Sequence, residues 1–114
     1  LQLHAAPFDL SAALSELAED AAALAPKLKI SADLTPDVWV SADRDLINRA
    51  IYNLIDNAIK YNHDGGRIRI ELQQREGTAL CRVSNSGEIP RDRRDRVFDR
   101  FVREDEARSL RVQA

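Results

Sequence analysis

The order of two kinds of apolar spacing is the feature that most limits how this chain can fold. Apolar residues recur every three or four positions from Leu10 to Leu24 and from Asp43 to Tyr61, as they do on one face of a helix. Apolar and polar residues instead alternate from Lys27 to Leu34 and from Arg67 to Gln74, as in half-buried strands. Helices and strands in this order predict an α+β fold, a two-layer sandwich in which helices cover one face of a mixed sheet.

Capping and turn residues set the expected ends of these elements. Asp9 is a predicted N-cap for the first helix, which ends near Pro26, and Ser41–Asp43 caps the second helix. Glu76-Gly77 is a hairpin turn that leads into a strand from Thr78 to Val83. Two further short strands are expected at Leu1–Phe8 and Val38–Val40.

Length and composition describe a single small domain. The 114 residues allow one domain, 1–114, with one modest core. The net charge of −2 argues against a general nucleic-acid surface, and no apolar run approaches the roughly 18 residues that span a bilayer. Cys81 is the only cysteine, which excludes an internal disulfide and a cysteine zinc cluster. We expect a cytoplasmic module that makes no direct contact with a membrane.

The second helix carries an unusual polar stripe. At about 100° per residue, Asn53, Asn57 and Lys60 fall on one narrow face, with Tyr61 at its rim. The other side is apolar and holds Ile51, Leu54, Ile55, Ala58 and Ile59. Amides that are even partly buried need partners, and a magnesium-bound polyphosphate would satisfy these groups, because amide oxygens suit magnesium and lysine suits phosphate. The alternative is an amphipathic helix whose polar face simply meets water.

Residues 53–61, Asn-Leu-Ile-Asp-Asn-Ala-Ile-Lys-Tyr, resemble the N box of sensor histidine kinases. These kinases belong to the wider group of ATP-binding domains that also contains gyrase, heat-shock chaperones and MutL. The resemblance implies that Asn57 coordinates magnesium and that Asn53 supports it through polar contacts. It also implies that Lys60 contacts phosphate and that Tyr61 flanks the nucleotide.

The resemblance extends over nearly the whole chain, from Phe8 to about Arg108. Phe8-Asp9-Leu10 is similar to the family's entry to its first helix, and Ser41-Ala42-Asp43 and Gly65-Gly66 stand where the family places similar residues. It implies the Bergerat-type ATP-binding fold.

Val83-Ser84-Asn85-Ser86-Gly87 resembles the family's G1 box, which has a valine, an aspartate and a glycine at alternate positions. The resemblance implies that Asn85 and Gly87 bind the nucleotide, with Asn85 in the place of the aspartate that accepts a hydrogen bond from the adenine amino group. An amide oxygen can accept that bond but lacks the charge that strengthens it. The alternative is an ordinary turn at the end of a strand.

The segment Arg91–Arg103 is predicted to be helical and contains a stretch that resembles the F box. Phe98 and Phe101 would share one helical face, and Arg100 or Arg103 would offer planar, paired donors to the terminal phosphate. The alternative is a surface helix with two anchored phenylalanines.

The family's glycine-rich G2 box does not occur before the sequence ends at Ala114. We therefore expect a catalytic domain that is C-terminally truncated and incomplete, with weak nucleotide binding and no activity on its own. Uncovered apolar surface would favour self-association.

The function that the resemblance implies is the ATP-binding catalytic module of a two-component sensor histidine kinase. Such a module uses ATP and Mg²⁺ and donates the γ-phosphate to a histidine on a separate dimerisation and phosphoacceptor domain of the same protein, a membrane-anchored sensor. The downstream partner is a response regulator. Neither His4 nor His63 has the setting of a phosphoacceptor, and the amide of Asn53 cannot act as the general base of a hydrolase. The alternative is a degenerate, non-catalytic interaction or regulatory module with weak or no nucleotide binding.

Overall fold

A computed structural model describes residues 4–86, 101–104 and 107–113, the last two ranges as backbone. Within these ranges there are two helices, α1 (Leu10–Leu24) and α2 (Arg44–Lys60). The strands in these ranges are β1 (Ala5–Asp9), β2 (Lys29–Leu34), β3 (Trp39–Asp43), β4 (Arg67–Arg75), β5 (Thr78–Asn85), β6 (Phe101–Glu104) and β7 (Ala107–Gln113). Neither helix is long and apolar enough to cross a membrane.

The main sheet has five strands in the order β2-β4-β5-β7-β6. Strand β2 pairs parallel with β4, whereas the other neighbours are antiparallel, so the sheet is mixed. Strands β1 and β3 form a separate antiparallel pair. Helix α1 lies against β2 and helix α2 against β5. The predicted α+β fold, a mixed sheet covered by helices, is confirmed.

The core lies between the helices and the face of the sheet to which the apolar residues of β4 and β5 point. Alternate residues of both strands are buried while those between them are exposed or half-buried, as the period of a strand requires. The most deeply buried large side chains are Leu10, Leu14, Val38, Val40, Ile51, Leu54, Ile68, Ile70, Leu72 and Cys81. The core therefore fixes which face of α2 is left for other contacts.

Both predicted N-caps are present. The Asp9 carboxylate accepts the backbone N–H of Ala12 at 3.2 Å and begins α1. The Asp43 Oδ1 accepts the N–H groups of Asp45 at 3.1 Å and Leu46 at 3.2 Å and begins α2. These carboxylates satisfy N–H groups that have no partner inside the helix.

Asp43 makes the stability of the fold depend on pH. Its pKa is lowered from the usual 3.8, first because the backbone N–H of His4 donates to Oδ2 at 3.0 Å, and further by the bonds from Leu46 and Asp45. With a depressed folded pKa, the stabilisation is complete above the unfolded pKa and is lost as the pH falls through the folded value.

We expect Asp43→Asn to flatten the acid limb of stability. Asparagine is an equally good N-cap but does not titrate. The melting temperature of the Asp43→Asn variant should therefore fall less than that of the wild type below about pH 4. Circular dichroism melts at a series of pH values measure this difference. Parallel acid limbs in the two proteins would contradict the role of Asp43.

The β4–β5 hairpin confirms the turn expected at Glu76-Gly77. Both residues are left-handed, with φ of 52° and 74°, as a two-residue turn between right-twisted strands requires. Strand β5 runs to Asn85, two residues past the expected end at Val83. This extension puts Asn85 inside the sheet.

The C-terminal segment differs from the sequence-based expectation. Phe101–Glu104 is strand β6, so the helix predicted through Arg103 is wrong over Phe101–Arg103, and Phe98 lies outside the described residues. Strand β7, which was not predicted, pairs with β5 along its length. The pairing satisfies backbone groups that β5 would otherwise expose as an edge strand. The alternation of Ser109, Leu110, Arg111 and Val112 is the sequence signal that was missed.

Candidate functional site

Helix α2 presents its polar stripe as predicted. Asn53 and Asn57 are half-buried and Lys60 is exposed. The opposite side of the helix is anchored in the core by Ile47, Ala50, Ile51, Leu54, Ile55 and Ala58. This packing prevents rotation of α2, so both amides are held at the boundary between core and solvent.

Lys60 is paired within the helix. Its Nζ lies 3.0 Å from the Asp56 carboxylate, and the two side chains are 60% and 35% exposed. Exposed pairs at this spacing contribute only about 0.3–0.5 kcal/mol. The ammonium can therefore exchange Asp56 for a more highly charged partner at little cost.

Tyr61 ends α2. It is half-buried, and its N–H donates to the carbonyl of Asn57 at 3.1 Å. This bond closes the last turn of the helix beside the polar stripe.

Asn85 occupies a core position at the end of β5. It continues the buried face formed by Ala79, Cys81 and Val83, pairs with Ile68, and is 7% exposed. Both amide atoms, Oδ1 and Nδ2, are buried with no hydrogen-bond partner among the described residues. Each unsatisfied buried polar atom costs about 1–3 kcal/mol. A ligand with a donor and an acceptor would remove that penalty.

A cluster of polar groups joins the end of α2 to the ends of β4 and β5. The Asn62 Nδ2 donates to the Arg67 carbonyl at 3.0 Å, and the Ser86 hydroxyl donates to the Asn62 Oδ1 at 3.1 Å. The Arg67 N–H donates to the Ser86 Oγ at 2.9 Å, and the Ser86 N–H donates to the Arg67 carbonyl at 3.1 Å. We call Asn62, Arg67 and Ser86 the polar clasp. These contacts of Asn62 were not predicted from the sequence.

The predicted site residues separate into three groups. The stripe and Tyr61 share α2, and Asn85 lies on the strand against which α2 packs. Gly87 and Arg100 lie outside the described residues. Arg103 lies in strand β6, which is separated from β5 by β7, and not in a helix. Its predicted place in an F-box helix is therefore wrong.

Other groups with reactive or ligating chemistry are few in the described part of the chain. No cluster of three or more His, Cys, Asp or Glu residues occurs within it. Cys81 is fully buried, and burial raises its pKa to about 12, so its thiol stays protonated and inert at neutral pH. A metal at the α2 stripe would have to rely on amide oxygens and on oxygens that the ligand brings.

A cavity of about 330 Å³ lies away from this stripe. It is lined by Gln73, Arg75, Glu76, Thr78 and Leu80 at the hairpin end of β4 and β5. Gln73 and Arg75 alternate with the buried residues of β4, so this cavity opens on the outer face of the sheet. It brings together no reactive or ligating set comparable to that of α2 and β5.

Comparison with known proteins identifies the class to which this fold and stripe belong. The family described as histidine kinase-, DNA gyrase B- and HSP90-like ATPase matches residues 42–112. The chain belongs to this family, and the predicted resemblance to the ATP-binding domains of sensor histidine kinases is confirmed. Among curated relatives, the probable sensor protein PcoS of Escherichia coli is 34% identical over 110 residues, which cover 95% of this chain and 23% of PcoS.

Solved structures agree with this assignment. The mycobacterial sensor histidine kinase MprB superposes with a TM-score of 0.72 at 29% identity, over 90% of this chain and 69% of that one. The histidine kinase ThkA in complex with the response regulator protein TrrA shares the fold, with a TM-score of 0.78 at 18% identity over 97% of this chain and 42% of that one. The chain spans less than a quarter of the length of the curated relatives it matches. It is a histidine kinase-like ATPase domain of the type found in sensor kinases.

Proposed function

We propose that this chain is the catalytic module of a sensor histidine kinase, which binds ATP with Mg²⁺ and donates the γ-phosphate to a histidine on a separate phosphoacceptor domain of the same protein. The observation that carries the proposal is the buried amide of Asn85, which has no partner among the described residues and lies on the strand that supports α2. Asn85 leaves both atoms of its amide in this state, whereas Asn48 leaves only Oδ1, and a ligand that offers a donor and an acceptor would complete the amide of Asn85.

Adenine fits the Asn85 amide. An asparagine amide offers one acceptor and two donors, and it can pair with the amino donor and a ring-nitrogen acceptor on one edge of adenine, as asparagine does when it reads adenine in DNA. Both orphaned atoms, Oδ1 and Nδ2, would then be satisfied. The replacement of the family's aspartate by Asn85 is therefore compatible with adenine binding.

The α2 stripe fits a metal-bound phosphate chain. Asn57 would supply an amide oxygen to Mg²⁺, Asn53 would orient it, and Lys60 would leave Asp56 to neutralise a phosphate oxygen. When bound, Mg²⁺ would neutralise charge on the phosphate oxygens. Since the described residues offer no cluster of acidic ligands, we infer that the metal arrives with the nucleotide.

The reaction would follow from positioning and charge neutralisation. An imidazole nitrogen of the acceptor histidine would form the new bond to the γ-phosphorus, and the bond to the bridging β–γ oxygen would break, releasing ADP. Asn53 cannot take a proton from water, which favours transfer over hydrolysis. Neither histidine of this chain suits the acceptor role. His63 is exposed in a turn, and its ring is hydrogen-bonded to the Asp64 carbonyl. His4 directly precedes strand β1, which pairs only with β3 among the described strands.

The wider setting is also a proposal. The complex of ThkA with TrrA supports a response regulator as the downstream partner. Relatives are named as sensor proteins, and we propose that the parent is a membrane-anchored sensor with this domain in the cytoplasm.

Titration of the parent protein with ADP tests the proposal. We expect heat of binding with Mg²⁺, a marked loss of affinity in EDTA, and binding of GDP at least about tenfold weaker. Guanine offers two acceptors on the edge where adenine offers a donor and an acceptor, so the Asn85 Oδ1 would be left without a donor. Incubation with γ-labelled ATP should then give an acid-labile, base-stable phosphate on the parent protein. Absence of any binding of magnesium-ADP would instead identify a degenerate interaction module.

A further inference from the structure

We propose that the polar clasp, through Asn62 and Ser86, positions the two halves of the nucleotide site relative to each other. The inference rests on the proposed function and adds two positioning residues to it. Neither residue would contact the nucleotide itself. Their effect would come through the elements that they hold together.

The position of the clasp in the chain supports this role. Asn62 follows Tyr61 and stands two residues after Lys60, at the end of the helix that carries the phosphate-binding stripe. Ser86 directly follows Asn85, the residue proposed to bind the base. Along the chain, these two points are separated by the whole β4–β5 hairpin, but the Ser86 hydroxyl reaches the Asn62 Oδ1 at 3.1 Å.

The Asn62 and Ser86 side chains of the clasp are half-buried and hydrogen-bonded, whereas Arg67 is exposed and takes part through its backbone. The Asn62 side chain uses both ends of its amide, because Nδ2 donates to the Arg67 carbonyl while Oδ1 accepts from Ser86 and from the His63 N–H at 2.9 Å. The Ser86 hydroxyl both donates and accepts. With all these groups engaged, the Asn62 amide has one satisfied orientation, which makes the link specific.

Gly66 makes room for the clasp. A Cβ atom at this position would clash with the Asn62 Oδ1 and lie 2.8 Å from the His63 carbonyl oxygen. Neighbouring Gly65 has open space around its Cβ position. The His63 carbonyl therefore requires glycine at position 66, and a larger residue would also displace the Asn62 amide from the clasp.

A ligand that contacts both α2 and β5 gains from this link. If the helix end and the strand end are already at the right separation, binding need not order them, and affinity rises because that entropic cost is absent. A ligand that contacts only Asn85 gains nothing from the separation. The clasp should therefore favour ADP over adenosine.

Comparison of ADP with adenosine tests the inference in the parent protein. We expect Ser86→Ala and Asn62→Ala to weaken binding of magnesium-ADP by about tenfold while changing adenosine affinity by less than about twofold. Ser86→Thr keeps the hydroxyl and should restore ADP affinity. Titration by NMR measures both ligands, including weak ones.

Ser11→Ala is the matched control. The Ser11 hydroxyl also donates to a carbonyl, that of Thr35 at 2.7 Å, and accepts an N–H, that of Val38 at 2.9 Å, but it joins α1 to the β2–β3 loop. The Ser11→Ala variant should lower the melting temperature about as much as Ser86→Ala does and leave the affinity for ADP unchanged.

The outcomes separate the inference from the proposed function. Failure of the wild type to bind magnesium-ADP would overturn the proposed function and the inference with it. Normal binding by the wild type, with equal losses for ADP and adenosine or no loss in the clasp variants, would overturn the inference alone.

Discussion

Replacing Asn57 with alanine is expected to weaken magnesium-dependent ADP binding by about 100-fold or more. The substitution removes the amide oxygen proposed to bind the metal and leaves Asn53 with no metal ligand to orient. Helix α2 should remain folded, because Asn57 lies outside the apolar face and alanine is the best helix former. Calorimetry of the parent protein with ADP, with and without Mg²⁺, measures the loss.

Asn48→Ala is the control for this experiment. Asn48 is a half-buried asparagine on the same helix, and nine residues at about 100° each put it on the opposite side from Asn57. The affinity of the Asn48→Ala variant for magnesium-ADP should match that of the wild type within about twofold. If Asn57→Ala retained normal, magnesium-dependent affinity, the assignment of the stripe would be wrong.

Leu14→Ala is expected to have the largest effect on stability. Leu14 is completely buried on the inner face of α1, and large-to-small substitutions at such positions cost about 2–5 kcal/mol because a cavity remains. Small domains have only about 5–15 kcal/mol in total. The melting temperature should fall by roughly 10–20 °C, which thermal unfolding followed by circular dichroism will show.

Leu24→Ala provides the comparison within the same helix. Leu24 is 68% exposed, so the identical substitution should change the free energy of unfolding by no more than about 0.5 kcal/mol. Similar losses at the two leucines would mean that α1 does not pack on the sheet through Leu14.

The elements predicted well from the sequence are those determined by neighbouring residues. Asp9 and Asp43 cap helices because their carboxylates reach N–H groups two or three positions ahead, a relation that the sequence itself displays. The Glu76-Gly77 turn and the alternation of β4 are local in the same way. The resemblance to the family also indicated the order of the N, G1 and F boxes along the chain, which local patterns alone do not give.

The strands β6 and β7 depend on distant partners and were therefore missed. The resemblance to the F box predicts a helix at Phe101, but the backbone of Phe101 pairs with that of Leu110, and β7 pairs with β5 about 30 residues earlier in the chain. The spacing of nearby residues does not show which edge of the sheet is available for pairing with another strand. Tertiary pairing decided the conformation of this segment.

The residues of the candidate site also differ in whether local sequence or distant contacts determine their positions. The stripe of Asn53, Asn57 and Lys60 follows from helical geometry alone and was found. The burial of Asn85 depends on two extra residues of strand β5, and the clasp of Asn62 with Ser86 depends on three elements meeting. Neither could be read from spacing, although both emerge once the sheet register is known.

Cys81 gives this domain an internal reporter. It is the only thiol in the sequence, it is 1% exposed, and strand β5 holds it between β4 and β7. An alkylating reagent can reach it only in molecules whose central strands have come apart. The labelling rate of the unmodified protein should thus record the frequency of that event, and a bound nucleotide should slow it in proportion to the fraction of occupied molecules.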